Sequence, residues 1–177
     1  MTNHIERHGA EERFSSVFAH LGAVTAYARR RGSPDADGLA AEVMTIAWRR
    51  LADVPTGDAR PWLYATARNL LHAERRRAAR TAPVAELDRT GEPEPAELDP
   101  ELAGALRSLS PLDREALLLI AWEELSPREA AKALGINPTA FSVRLLRARR
   151  RLRAKLDEAP GGARRTSHLT HLDVEGT

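Results

Sequence analysis

The chain contains no cysteine and no long apolar run, and each absence removes a class of protein from consideration. Without cysteine among its 177 residues, a disulfide framework and a thiolate zinc site are both excluded. No apolar run is long enough to cross a bilayer, and the N terminus lacks an apolar signal segment. We therefore expect a soluble, cytoplasmic protein with no membrane insertion.

Aromatic residues are also scarce, at 5% of the chain, whereas charged residues make up 29%. Strands favour aromatic and β-branched side chains, and amphipathic helices need long polar faces, so this composition favours an all-α protein. The small aromatic share limits the apolar area that a single core could bury. We predict two small helical domains rather than one large globule.

The distribution of charge is more informative than the net charge, which is only +2. Acidic residues collect between positions 86 and 101, and basic residues collect at positions 75–80 and 144–155. Cations placed against phosphates release counterions, so local basic patches of this kind indicate nucleic-acid binding.

Helical periodicity predicts a first bundle of three helices over residues 11–80. The first helix should cover residues 11–31, the second should be capped by Ser33, and the third should restart at Pro61 after a short loop. We expect residues 1–10 to be disordered.

Prolines and acids dominate residues 81–99, which we predict to be a flexible acidic linker. Four helices should follow over residues 100–157, the second of them capped by Ser110. Residues 158–177 are polar, and we expect them to form a disordered tail.

The strongest motif is a helix-turn-helix within this second domain. A capping box at Ser126 opens a short alanine-rich helix, Gly135 permits a sharp turn, and Asn137 caps a longer basic helix. The buried stripe of that longer helix should comprise Phe141, Leu145, Ala148 and Leu152.

The polar face of this last helix suits the major groove of duplex DNA, where arginine pairs with guanine or anchors phosphate. An ordinary helical hairpin with a solvated basic face is the alternative, but the caps, the turn, the alanines and the one-sided arginines occur together here. We predict duplex contacts from Thr139, Ser142, Val143, Arg144, Arg147 and Arg149.

A second motif interleaves aromatic and basic residues between positions 60 and 77. Such a face suits single-stranded DNA, because rings stack on unpaired bases and arginines follow the phosphates. The alternative is that Trp62 and Tyr64 pack in the core, which is the commoner role of aromatic residues. The residues by themselves favour packing.

Two acidic clusters have simpler interpretations than catalysis. Asp35, Asp37 and Glu42 lie near the start of a predicted helix, where acids complement the helix dipole, although an interaction surface remains open. Glu123 and Glu124 follow a predicted helix end and should be solvated. The sequence has no phosphate loop, nucleophile elbow or metal-ligand cluster, so we expect no enzyme, cofactor or metal.

The order of these motifs resembles that of an extracytoplasmic-function sigma factor of the sigma-70 family. The resemblance covers roughly residues 11–156 and departs from the family at Gly38, Ala41, Ala140 and Phe141. The matching stretches are residues 35–43, 47–49, 60–64, 67–69, 109–115, 129–131, 134–135 and 144–149.

This resemblance implies a specificity subunit that directs core RNA polymerase to promoters. It implies a three-helix region 2 that binds polymerase and melts the −10 element, and a four-helix region 4 that reads the −35 element. The implied polymerase contacts are Asp35, Asp37, Leu39, Glu42, Val43 and Trp48. The implied −10 contacts are Arg60, Tyr64, Arg68, Asn69, Arg75 and Arg76, whereas Trp62 is expected to pack.

The partners that the resemblance implies are core RNA polymerase, through its β′ clamp and β flap, promoter DNA as duplex and single strand, and an anti-sigma factor. Two other functions remain open at this point. A stand-alone helix-turn-helix regulator would bind palindromic half-sites without polymerase. An adaptor or sigma-like decoy would act without relying on the arginines of the last helix.

Overall fold

The computed structural model describes residues 2–81 and 98–158, and these residues are all helical apart from their turns. The helices are α1 (Thr2–Phe18), α2 (Leu21–Arg30), α3 (Ala36–Arg49), α4 (Arg60–Thr81), α5 (Pro100–Arg107), α6 (Pro111–Ala121), α7 (Pro127–Leu134) and α8 (Pro138–Asp157), with a 3-10 turn at Leu51–Asp53. The predicted all-α fold with two domains is confirmed. The predicted linker, apart from its ends, and the tail beyond residue 158 lie outside the described residues.

The first domain contains four α-helices rather than the three that periodicity predicts. The predicted helix over residues 11–31 is broken after Phe18, where the His20 N–H donates to the Val17 carbonyl at 3.1 Å. Apolar residues stay in phase across this turn, so the hydrophobic period does not reveal it. Helix α1 begins at Thr2, within the segment for which the sequence predicts disorder. Residues 2–10 contain no proline, and extending an existing helix is far easier than nucleating one.

Helix α3 is capped by Asp35, not by Ser33 as the sequence predicts. An Asp35 carboxylate oxygen accepts from the Gly38 N–H at 2.8 Å, while the Ser33 hydroxyl donates to Glu74 at 3.4 Å. A Cβ added at Gly38 would collide with the Asp35 carboxylate. The glycine that departs from the family pattern therefore makes room for this cap.

Two tyrosines form the centre of the first core. The Tyr27 and Tyr64 rings stack with centroids 4.9 Å apart, and both side chains are buried. Burial raises the pKa of Tyr64 to about 12, and burial also raises the pKa of Tyr27 well above its usual value. Both phenols therefore stay neutral and can donate hydrogen bonds at physiological pH.

The second domain follows the sequence predictions closely. Ser110, Ser126 and Asn137 each cap a helix, and the Ser126 cap is a full capping box with Glu129. Gly135 ends α7 in the left-handed conformation, with φ of 66°. The predicted buried stripe of α8 is confirmed, since Phe141, Leu145, Ala148 and Leu152 are all buried.

The left-handed turn between α7 and α8 provides a stability prediction with an internal control. Replacing Gly135 with alanine should destabilise the protein by about 1–2 kcal/mol, because a Cβ strains this backbone conformation although no neighbour is within 4 Å. The same change at Gly22 in α2, also open to space, should be neutral or stabilising. Urea denaturation of both variants measures the difference, and equal effects would contradict the assigned turn.

Candidate nucleic-acid interface

Helices α7 and α8 form a helix-turn-helix whose two elements pack through small side chains. Ala130 and Ala131 are fully buried on α7, and Phe141 is fully buried on α8. The Ile136 N–H donates to the Ala131 carbonyl at 3.0 Å, which closes the turn after Gly135. The turn and the core together fix the direction in which α8 leaves the domain.

The outer face of α8 is an exposed stripe opposite its buried one. Residues three or four positions apart share one face of an α-helix. This spacing places five residues on the exposed face of α8, namely Thr139, Val143, Leu146, Arg147 and Arg150. All five are exposed, with Leu146 at 51% and Val143 at 44%. Of the predicted duplex contacts, Thr139, Ser142, Val143 and Arg147 are solvent-accessible and can reach a groove.

The remaining predicted duplex contacts lie on the flanks of α8. Arg144 is partly buried, and one terminal nitrogen donates to an oxygen of Asp113 in α6 at 2.7 Å. Arg151, two turns further along the same flank, donates to the other Asp113 oxygen at 2.6 Å. Arg149 is partly buried on the opposite flank. The basic surface of α8 is thus divided into an open stripe and a flank held by a carboxylate.

Helix α4 carries the predicted single-strand contacts, and the structure gives them unequal access. Asn69 and Arg76 are exposed, and Arg68 is partly buried. Arg60 forms an ion pair with Asp58 at 3.0 Å, and Arg75 donates to the Arg31 carbonyl at 2.8 Å. The pairing with Asp58 raises the pKa of Arg60 and keeps its guanidinium at the start of the helix.

Tyr64 does not present its ring to solvent, which runs against its predicted contact with DNA. Its side chain is 3% exposed and stacks on Tyr27, so it packs the core, as the residues alone favoured. Trp62 is partly buried and packs against the core, as the resemblance implies. An aromatic ring buried between α4 and its neighbours stabilises the bundle and is not available to stack on a DNA base.

The predicted polymerase contacts on α3 are likewise divided between the two faces of the helix. Leu39 and Val43 are buried in the bundle, so their side chains position α3 and face no partner. Asp35, Asp37 and Glu42 are exposed. An amphipathic helix can use only its outer face for docking, and the sequence pattern does not separate these roles.

An exposed aromatic cluster lies where α1 meets α3. The Phe14 ring lies 5.0 Å from Trp48 in an edge-on arrangement and 5.9 Å from Phe18. Trp48 and Phe18 are 47% and 48% exposed. Neighbouring exposed aromatic side chains of this size mark interaction surfaces, and only Trp48 is predicted from the sequence.

The two domains contact each other where α4 packs against α7, and also through a buried network of charges, here called the interdomain clasp (Tyr27, Arg30, Arg31, Glu115 and Glu123). The Arg31 guanidinium lies 3.0 Å from Glu115 and 2.9 Å from Glu123, and all three side chains are buried. Tyr27 donates to Glu115 at 2.9 Å, and Arg30 donates to Glu123 at 2.5 Å. Burial alone would lower the pKa of Arg31, but attraction to the Glu115 and Glu123 carboxylates outweighs this effect and holds the pKa above its usual value.

The prediction that Glu123 is solvated is therefore wrong. Its side chain is 2% exposed because two arginines of α2 and its flanking turn neutralise it. The contact joins positions more than 90 residues apart, and no local pattern in the sequence indicates it. The same holds for the pairing of Asp113 with Arg144 and Arg151.

Within residues 2–81 and 98–158, no helix combines the length and the apolar character needed to cross a membrane. Residues 17–81 match the family model described as Sigma-70 region 2, and residues 100–152 match the one described as Sigma-70, region 4. No curated protein sequence matches the chain.

Two solved structures are similar to the chain over most of its length. The sigma factor RpoE from Bartonella quintana, in complex with the anti-sigma factor NepR, is 27% identical with a TM-score of 0.61, over 81% of this chain and 96% of that one. CnrH, in complex with the cytosolic domain of CnrY, is 29% identical with a TM-score of 0.56, over 81% of this chain and 87% of that one.

Proposed function

The chain belongs to the sigma-70 family of RNA polymerase sigma factors, and on this premise we propose which of its surfaces performs each part of promoter recognition. As a member of the extracytoplasmic-function group it directs core RNA polymerase to promoters and is not itself catalytic. The observation that carries the assignment of surfaces is the exposed stripe on α8, opposite a fully buried one.

Helix α8 reads the −35 element in the major groove. Arg147 offers a bidentate fork to guanine, and Ser142 and Thr139 offer hydroxyls near the N-terminal end of the helix. Val143 and Leu146 present apolar surface that fits a thymine methyl group. Arg144 and Arg149, on the flanks, are placed for phosphates rather than for bases.

Helix α4 and the turn before it hold the −10 element as a single strand. Asn69 supplies an exposed amide for a base edge, while Arg68 and Arg76 supply charge for the backbone. Arg60, fixed by Asp58, lies beside the turn where an unstacked base would enter. Tyr64 supports this face from the core and does not contact the strand.

Helix α3 docks on the β′ clamp of core polymerase through its outer face, and region 4 contacts the β flap. The docking surface combines the acids Asp37 and Glu42 with the aromatic cluster of Trp48, Phe14 and Phe18. Tryptophan is enriched at interface hot spots, and polar residues commonly form the rim around such an aromatic centre.

An anti-sigma factor restrains the protein until a signal releases it. The support is that the two solved structures compared above are complexes, RpoE with the anti-sigma factor NepR and CnrH with the cytosolic domain of CnrY. A free alternative specificity subunit would redirect polymerase continuously, so a restraining partner fits the function. A stand-alone regulator has no such need, and it would carry no region 2.

The experiment combines the chain with core polymerase and a library of random promoter sequences, followed by sequencing of the bound and transcribed DNA. An enriched pair of elements with a fixed spacing is the expected result. A chain that binds palindromic duplexes equally well without polymerase, and yields no promoter-dependent transcript, would overturn the proposal.

Arg147 gives the sharpest test within the −35 surface. Replacing it with alanine should weaken holoenzyme binding to the enriched promoter by about tenfold or more, since one bidentate pair discriminates by about 1–3 kcal/mol. Arg147→Lys is the matched control, because lysine keeps the positive charge and lacks the planar guanidinium that can donate two hydrogen bonds to one guanine. The Arg147→Lys variant should retain its binding to scrambled DNA, yet it should lose most of its preference for the enriched promoter over scrambled DNA. Unchanged discrimination in both variants would remove Arg147 from the base-reading set.

A further inference from the structure

The flank of α8 contains a carboxylate that holds two arginines at once. Asp113 is 4% exposed at its side chain and accepts from Arg144 with one oxygen and from Arg151 with the other, at 2.7 and 2.6 Å. The two arginines are seven residues apart on α8, about two helical turns. One carboxylate thereby fixes both guanidinium groups and the helix between them.

Both arginines keep part of their surface in solvent while they are held. The Arg144 side chain is 36% exposed and the Arg151 side chain is 61% exposed. Each donates to Asp113 through a single terminal nitrogen, and a guanidinium carries five N–H donors. The pairing thus leaves donors on each arginine for a further acceptor such as a phosphate.

Asp113 itself lies in the first turn of α6, where the helix cap fixes its backbone. Its backbone N–H donates to the Ser110 hydroxyl at 3.2 Å, and its position near the start of the helix favours a negative charge. The next residue, Arg114, is buried and donates to the Leu106 carbonyl at 3.0 Å. The carboxylate therefore belongs to the rigid frame of the second domain rather than to a mobile surface.

We infer that Asp113 is a positioning residue for −35 recognition, which sets Arg144 and Arg151 as pre-ordered phosphate anchors and so fixes the register of α8 in the groove. An unrestrained arginine loses rotamer freedom when it binds, which costs about 0.5–1.5 kcal/mol per side chain. An arginine already held by Asp113 loses less. Phosphate anchors carry no sequence information, but they fix the register in which the exposed stripe meets the bases.

The inference rests on the proposed function of α8, and the test uses holoenzyme with the promoter enriched from the random library. Asp113→Asn keeps the shape of the side chain and removes its charge, so both arginines become mobile cations. We expect binding to scrambled duplex of the same length to stay equal or rise, while discrimination for the enriched −35 element falls about tenfold.

Asp157→Asn is the matched control for charge. Asp157 is exposed at the end of α8, and its replacement removes one negative charge from the same domain without touching Asp113. If added positive charge alone were responsible, both variants would bind all duplexes more tightly and discriminate less. The inference expects a loss of discrimination from Asp113→Asn alone.

A double-mutant cycle separates positioning from simple support of the fold. In an Arg144→Gln background, Asp113→Asn should cause a clearly smaller further loss of discrimination, because one of the two anchors that it positions is already absent. Equal losses in both backgrounds, or discrimination by Asp113→Asn at the wild-type level, would overturn the inference. If the wild-type holoenzyme enriches no −35 sequence, the proposed function itself fails, which is a distinguishable result.

Discussion

Replacing Arg31 with methionine should destabilise the protein by about 3–5 kcal/mol and separate its two domains. Arg31 is the centre of the interdomain clasp, and its removal leaves Glu115 and Glu123 as buried carboxylates that have lost their shared partner. Separation exposes both carboxylates to water, although it also breaks the packing of α4 against α7. Urea denaturation measures the first effect, and the radius of gyration from small-angle X-ray scattering measures the second.

Arg30→Met is the matched control one residue away. Arg30 also pairs with Glu123, but its side chain is 29% exposed and Arg31 would still neutralise that carboxylate. We expect a loss of about 1 kcal/mol or less and an unchanged radius. Adding Glu115→Gln and Glu123→Gln to Arg31→Met should recover part of the stability, because neutral side chains are cheaper to bury than unpaired charges. Equal effects of Arg30→Met and Arg31→Met would contradict the central role of Arg31.

The clasp has a consequence for promoter binding. The names of the −10 and −35 elements place them about 25 base pairs apart, which is roughly 85 Å of duplex. Helix α4, the longest helix among residues 2–81 and 98–158, extends only about 33 Å. On the proposed function, domains that touch through Tyr27, Arg31 and Glu115 lie too close together to occupy both elements at once. We therefore expect the clasp to open when the protein binds a promoter. Arg31→Met, where it remains folded, should reach half-maximal promoter complex at a lower concentration of core polymerase.

The helix-turn-helix was predictable because its determinants are local. Ser126, Gly135 and Asn137 act within three residues of themselves, and the stripe from Phe141 to Leu152 follows a fixed period. The first domain was less predictable. Its helix break falls where apolar residues stay in phase, and its α3 cap was assigned to Ser33 although Asp35 competes for the same N–H groups.

Side-chain pairings over long sequence distances could not be predicted from one sequence. Asp113 and Arg144 are 31 positions apart, and Arg31 and Glu123 are 92 apart, so neither pair leaves a periodic signal. Residue type alone also misplaced Tyr64, since an aromatic among arginines fits a nucleic-acid face and a core equally well. Burial decides between these two roles, and burial depends on how α2 and α4 pack.

Phe141→Ala should be the most damaging single change in the second domain, with a loss of about 3–5 kcal/mol. The ring is fully buried beneath α8, and its removal leaves a cavity where the small alanines of α7 cannot fill the space. Because α8 owes its direction to this contact, −35 recognition should fail together with stability. Thermal unfolding and holoenzyme binding to the enriched promoter measure the two losses.

Leu146→Ala, on the same helix, distinguishes an effect on DNA recognition from an effect on stability. Leu146 is 51% exposed, so its truncation should change stability by no more than about 0.5 kcal/mol while weakening binding to the enriched promoter. The loss of stability in Phe141→Leu should lie between the losses in Phe141→Ala and Leu146→Ala, because leucine keeps most of the apolar volume of the ring. If Phe141→Ala lost stability but kept full promoter discrimination, the orientation of α8 would not depend on its core. The opposite pattern for Leu146→Ala, a stability loss with normal binding, would place that side chain in packing rather than in the groove.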